Sequence, residues 1–519
     1  MARVLFAVLF VLALLPSAWL AWTNRDMPHF GHHHDDAMYF VSAQSLAVGG
    51  GYRIMSLPGE PPNSKYPPGY PLYLSLAWRL NPNFPQNLSW VLLLCWLMLP
   101  AAILACRWVY PERPWLWFLL GLSPPAVFLS LSAMTEVPAL CFVLLTVGLA
   151  RGERVRRAAF AGLAAAAGFC VKNALLMLLP AAVLWYLLQR RPRHAAAFTA
   201  AMLPAVIAWQ MWSSRHVTLG AIEMIFYTHY TIFWLRSVTW DGLPAMVSQN
   251  LSALLAGIGS LFSLEPEYTL FAQGRSMILA FAAIAGCVRL QLRQGLSLYA
   301  LFAGFYSIQL LLWNFSPNER LLFPLFPFLL TGLVATCGDV YNAFLRSKMK
   351  DPVGSRVILA LGVLLLANAM VRNVYGVVHY IPQTMAADRA RLGELRQVWS
   401  WIRENTPETA RLNPPNDDPL TYLYTRRKAV ARQPPTQYLY SGNRAGLLDW
   451  FSNLPEVPVD YVLAGQTLCQ HNLSPDDRKE ITARLVKRPD LALIHEFKDW
   501  KVLRVQPAAP ANASAARLY

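Results

Sequence analysis

Charge is scarce in this chain. Only 14% of its 519 residues are Asp, Glu, Lys or Arg, against roughly 25% in a soluble domain. Acids are scarcer still, at 29 against 45 basic residues. A soluble enzyme of this length would have no way to hide the remaining apolar surface, so an ordinary soluble fold is excluded. Cysteine is sparse, with seven in all. Cys95, Cys106, Cys141, Cys170, Cys287 and Cys337 lie in or beside apolar runs, and only Cys469 falls in the polar C-terminal part. No CxxC pair occurs, which argues against a zinc ribbon and a disulfide framework. No internal repeat is apparent.

What is abundant is apolar sequence, 55% of the chain. The class expected is a polytopic α-helical membrane protein. Spans read at about 3–22, 88–106, 114–132, 137–150, 158–171, 174–188, 195–212, 276–288, 296–313, 321–337 and 356–372, about eleven transmembrane helices. No A-x-A site follows residues 3–22, so this run reads as a first helix and not a cleaved signal. The net charge of +16 does not point to nucleic acid. The arginines cluster in 107–113, 151–157, 189–194, 289–294 and 338–355, as cytoplasmic loops do. The expected orientation in the plasma membrane therefore has the N-terminus cytoplasmic. The polar segments about 23–87 and 213–275 and the tail after 372 then lie outside. Residues 243–263, interrupted by Pro244, Gln249 and Asn250, read as an interfacial stretch.

Residues 1–372 thus read as a membrane module and 373–505 as a small extracytoplasmic α/β domain. That domain has a helix at Arg389–Asn405 and strands at Tyr422–Val430, Val459–Ala464, Leu491–Phe497 and Trp500–Val505. The end, 506–519, reads as low-complexity and disordered.

The chemistry-bearing residues gather in the segments expected outside. Asp35-Asp36 open a short helix to Val48 that Gly49-Gly50-Gly51 should stop. The plainer reading makes Asp36 a cap and Asp35 a solvated acid; the functional one makes a carboxylate a general base on an acceptor hydroxyl, or a metal ligand. His29, His32, His33 and His34 precede the pair. A divalent ion on His32, His34 and Asp35 suits the donor types, but three consecutive histidines cannot all face one ion in regular structure, and solvated loop histidines are the simpler account. Lys65 stands in Lys-Tyr-Pro-Pro-Gly-Tyr, where Pro67 and Pro68 stiffen a hook. Its partner is either a phosphate or the interface to which lysines snorkel. Glu136, in Thr-Glu-Val-Pro, and Arg320, in Asn-Glu-Arg-Leu-Leu-Phe-Pro, sit at membrane boundaries, where ions must be paired or wet. Thr135 or Glu136 as a helix cap, and Arg320 as a partner of Glu319, are the plain alternatives. Lys172-Asn173 read as a short polar turn.

Asp35-Asp36-Ala37-Met38-Tyr39, Ala47-Val48-Gly49-Gly50-Gly51-Tyr52 and Lys65-Tyr66-Pro67-Pro68-Gly69-Tyr70 together resemble the first outer loop of GT-C glycosyltransferases. The likeness is to the bacterial branch related to protein O-mannosyltransferases and lipid A aminoarabinose transferases. Thr135-Glu136-Val137-Pro138 is similar to its Ser/Thr-Glu-Pro motif and Glu319-Arg320-Leu321-Leu322-Phe323-Pro324 to its Glu-Arg-Tyr-x-x-Pro motif. Trp401–Pro407 is similar to the helix opening its outer domain. Asp36 stands where that branch has Glu, and Tyr66 separates Lys65 from the prolines. The resemblance implies a GT-C-like fold and a polyprenyl-phosphate sugar as donor. The acceptor is a glycan, lipid or protein. Asp35, with Asp36, is implied as base or acceptor-orienting group, and Lys65 and Arg320 as phosphate contacts. Tyr39, Tyr66 and Glu136 would be further substrate-binding residues. The runner-up is a polytopic lipid or sugar transporter or flippase, which the sparse charge within spans and the missing repeat disfavour. A non-catalytic assembly protein using its outer tail is the third.

Overall fold

The computed structural model describes residues 2–506 apart from 218–219, 265–268, 348–351, 416–417 and 466–472. The expected disordered end, 507–519, and Cys469 lie outside the described residues. The chain forms two compact units. One comprises Met1–His29, Tyr66–Trp212 and Leu243–Arg389; the other comprises Phe30–Lys65, Ser213–Gly242 and Ala390–Tyr519.

The first unit is helical. A helix stands at each of the eleven apolar runs, and among the described residues six helices are long and apolar enough to cross a membrane: Val4–Thr23, Leu88–Val109, Pro192–Arg215, Leu270–Gln294, Glu319–Asn342 and Ala360–Asn405. Glu136–Ala150, Asn173–Leu188 and Leu298–Leu311 are shorter apolar helices. The run at 114–132 is not one span. It breaks into Pro114–Leu122 and Pro124–Ser130, because Pro124 and Pro125 cannot donate to a continuing helix. The Ser123 side chain instead accepts from Ala126 N at 3.4 Å. The stretch expected in the interface is helix Leu243–Ser260. Asn250 on it is buried and donates to the carbonyls of Leu310, Leu311 and Trp313. It thereby satisfies groups that the end of helix Leu298–Leu311 leaves open. Helices Leu270–Gln294 and Phe326–Ser347 pack with backbones almost touching at Gly286 and Gly332. A Cβ on Gly286 would lie 1.8 Å from Gly332 O, and one on Gly332 2.3 Å from Ala283 O. Small residues at such crossings let helices meet in an apolar medium.

The second unit holds a five-stranded sheet of order β2-β1-β3-β5-β4, with β1 Arg411–Asn413, β2 Lys428–Ala429, β3 Tyr461–Ala464, β4 Leu491–Phe497 and β5 Trp500–Val505. β1 pairs in parallel with both β2 and β3, and β5 runs antiparallel to β3 and β4. Of the strand expected at Tyr422–Val430, only Lys428–Ala429 is strand. Tyr422–Thr425 belongs to helix Asp418–Thr425, whose apolar residues Leu420 and Leu423 are buried at helical spacing. Helices Arg444–Ser452 and Pro475–Val486 cover one face with Leu447, Leu448, Ile481 and Leu485 against Val462, Leu491 and Leu503. Helix Asp35–Ala47 packs against Asp418–Thr425. It stops as its glycines demand: Gly49 and Gly51 take φ +77° and +80°, open to glycine at little cost.

Candidate active site

In the second unit the acidic pair opens helix Asp35–Ala47, and its two members differ sharply. Asp36 is buried and spent on backbone. Its Oδ1 accepts from Ala37 N at 2.7 Å and its Oδ2 from Gly31 N at 2.9 Å, which ties the loop to the first helical turn. Burial pushes its carboxyl up to about 6, although both backbone hydrogen bonds pull the other way. Asp35 is only half-buried, and its charge is felt by both His34 and Lys65. Of the two, Asp35 is the less buried.

His34 stands at the cap position of this helix with φ +59° and ψ −49°, a backbone that non-glycine residues seldom adopt. Its Nε2 lies 2.9 Å from Asp418 Oδ1, and both side chains are buried. Burial works against the imidazolium, but the charge and hydrogen bond of Asp418 outweigh it and raise the His34 pKa. Tyr227 flanks the pair, its ring 6.0 Å from that of His34. Among the described residues no group of three or more His, Cys, Asp or Glu is placed to hold a metal ion. Of the ligands considered from sequence, His34 has Nε2 engaged by Asp418, and the His32 ring packs edge-on against His33. His29 belongs to the first unit, where its Nε2 lies 2.8 Å from Leu131 O.

Lys65 is buried, 6% exposed. Its Nζ lies 3.5 Å from the centroid of Phe226 and 5.0 Å from that of Tyr230, a cation over two aromatic faces. The chain around it is fixed by Asn63 Oδ1, which accepts from Lys65 N at 3.2 Å, and by Ser64 Oγ, which donates to Thr228 O. Burial pulls the Lys65 ammonium down to about 8, with Asp35 and Asp418 opposing. His34, Asp35, Lys65 and Asp418 thus form one electrostatic group. Tyr39 is buried in helix Asp35–Ala47.

In the first unit Glu136, fully buried, meets two cations. Lys172 Nζ donates to its Oε1 at 3.1 Å, and Arg320 Nε lies 3.5 Å from the same oxygen. Lys172 also donates to Thr135 Oγ1 at 3.3 Å. Lys172 is therefore not a mere turn residue, and Arg320 pairs with Glu136. Tyr66, half-buried, lies in this unit just ahead of helix Gly69–Leu80.

Sequence reasoning missed Asp418 and the aromatic cage, and read Lys172 as a turn residue. The run Phe226-Tyr227-Thr228-His229-Tyr230 within a polar segment was the available sign of a cation site. Nothing in Asp418-Pro419 distinguishes that acid from a helix start.

No family model and no curated protein matches the sequence. Among solved structures it resembles crystal structures of ArnT from Cupriavidus metallidurans. The apo form aligns at 13% identity and TM-score 0.51, covering 97% of this chain and 98% of that one. The form bound to undecaprenyl phosphate aligns at 14% identity and TM-score 0.53, covering 95% and 97%. The fold is that of the GT-C membrane proteins. The fold implied by the outer-loop motifs is thus the one found, and the six long apolar helices agree with a multi-pass membrane protein.

Proposed function

We propose that this protein is a membrane glycosyltransferase that moves a sugar from a polyprenyl-phosphate donor to an acceptor hydroxyl. The observation that carries the reading is a fold match over nearly the whole chain to ArnT, one structure of which is bound to undecaprenyl phosphate. The chemistry of the second unit supports it: a half-buried carboxylate beside a caged lysine. Asp35 is assigned as the base that takes the proton of the acceptor hydroxyl. The hydroxyl oxygen bonds the anomeric carbon as the bond from that carbon to the phosphate oxygen breaks. The polyprenyl phosphate leaves as the anion, and attack opposite the leaving group inverts the anomeric configuration.

Lys65 is assigned to the phosphate whose charge grows on departure. Arg320 is assigned to the anionic carrier lipid, and Tyr39, Tyr66 and Glu136 to substrate binding. The multi-pass chain is proposed to lie in the plasma membrane with its N-terminus cytoplasmic and Lys65, Asp35 and the C-terminal domain on the outer side, the orientation that the loop arginines favour. Mass spectrometry of the lipid that co-purifies with the protein tests the donor class directly. A polyprenyl-phosphate sugar is expected; purification free of any polyprenyl lipid, with no transfer from synthetic donors, would count against the assignment.

A further inference from the structure

The sheet of the second unit carries a feature that the transfer reading does not use. From β1 the chain moves to β2 on one side and then crosses to β3 on the other. The three strands are parallel, so their carboxyl ends open on one edge. The reversal of direction between β1 and β3 makes a topological switch point, where open α/β sheets bind ligands. A cleft lies there. Its lining includes Asn413 at the end of β1, Gly465 just past β3, and Phe451, Arg432, Arg478 and Thr482. It holds about 400 Å³ of empty space, solvent at its mouth included.

The lining is one-sided in charge. Two arginines face the cleft and no Asp or Glu is among its described lining residues. Arg432 is buried, 8% exposed. Its guanidinium lies 4.1 Å from the ring centroid of Trp450, Nη1 donates to Leu454 O at 2.8 Å, and Nε is 3.5 Å from Glu223 Oε1. Glu223 thus steadies Arg432 and offsets its charge. Arg478 has no acid partner among the described residues. Its Nη2 donates to Leu473 O at 3.4 Å, and its Nε is buried with no hydrogen-bond partner among them. A buried guanidinium donor left unmatched is costly and calls for an acceptor. A neutral sugar would leave that charge uncompensated. An oxyanion with several acceptor oxygens meets Arg478, the Thr482 hydroxyl and the edge of Arg432 together.

We propose that the switch-point cleft of the second unit binds a phosphate group, carried by a membrane lipid headgroup or by a small soluble molecule, with Arg478 as its principal contact. The site is independent of the Asp35–Lys65 group, and the test keeps the two apart by using full-length Lys65→Ala protein as the parent. In phosphatidylcholine nanodiscs the parent is titrated calorimetrically with methyl phosphate. Lipid retention is read by native mass spectrometry in nanodiscs doped with phosphatidic acid. Arg478→Gln is expected to weaken at least one of these at least tenfold. Loss of methyl phosphate binding assigns a soluble phosphate, and loss of phosphatidic acid alone assigns a headgroup. Thr482→Val, which keeps every charge, is expected to weaken the same ligand at least threefold and carries the test if Arg478→Gln does not fold. A parent that binds neither probe, or Arg478→Gln and Thr482→Val that bind both as the parent does, overturns the proposal.

Discussion

His34 Nε2 and Asp418 Oδ1 lie 2.9 Å apart across 384 residues of sequence, and the pair holds His34 in a left-handed backbone immediately before Asp35. The strained φ costs on the order of 1–3 kcal/mol and persists only where the surroundings impose it. Asp418→Asn should therefore free the turn that presents Asp35. The expected result is a lower kcat with the donor KM little changed, and a lower melting temperature. Because the folded His34 pKa is raised, its contribution to stability is complete below about 6.5 and is lost as pH rises through the higher folded value. Melting curves of wild type should fall over that window and those of Asp418→Asn should not. Parallel curves for the two proteins would remove the pair from any such role.

Asp35 and Asp36 should separate in their mutants. Asp36 accepts two backbone hydrogen bonds, so Asp36→Ala leaves those amides unmatched, at about 1–3 kcal/mol. It should show as reduced thermal stability. Asp35→Asn removes the proposed base while keeping the size of the side chain, and the loss expected is about 10²–10⁴ in transfer rate in protein that still folds. Wild-type turnover in folded Asp35→Asn protein would sink the assignment of the base.

Lys65 gives the proposed reaction an alkaline limb. Its ammonium, pulled down by burial, titrates near 8, so attraction for the donor phosphate should fade as pH rises through that value. The donor KM is expected to climb above pH about 8 in wild type. In Lys65→Arg, whose guanidinium stays charged, that rise should vanish even if the basal KM is worse. A wild-type KM flat across this range would mean that Lys65 does not meet the phosphate.

These groups differ in how far sequence reveals them. Helix Asp35–Ala47 and its glycine stop follow from local rules, and the apolar helices follow from hydropathy alone. Local rules also contained the break at Ser123-Pro124-Pro125, which the hydropathy of 114–132 conceals. The short strand at Lys428–Ala429 was hidden because β-rich residues such as Tyr422 and Tyr424 are held in a helix by packing, which overrides propensity. Glu136 and Arg320 were visible as boundary ions, but that they share one oxygen with Lys172 is tertiary. Asp418 was not legible at all, since a pairing across 384 residues leaves no periodicity or spacing to read.

The Glu136 cluster yields a test that needs no assay of sugar transfer. Glu136 is fully buried, while the side chains of Lys172 and Arg320 are 13% and 19% exposed. Removing the acid takes a carboxylate partner from two largely desolvated cations, and breaking such a pair costs about 3–5 kcal/mol. Glu136→Gln is expected to lower the melting temperature of the detergent-purified protein by several degrees. Lys172→Met should cost less, because Arg320 remains to pair with Glu136. If the three residues act as one unit, the double variant Glu136→Gln/Lys172→Met should be more stable than the sum of the single losses, since it removes one of the two cations along with the acid. Strictly additive losses would mean that the 3.1 Å contact between Lys172 and Glu136 contributes no coupling, and that Arg320 alone balances the carboxylate.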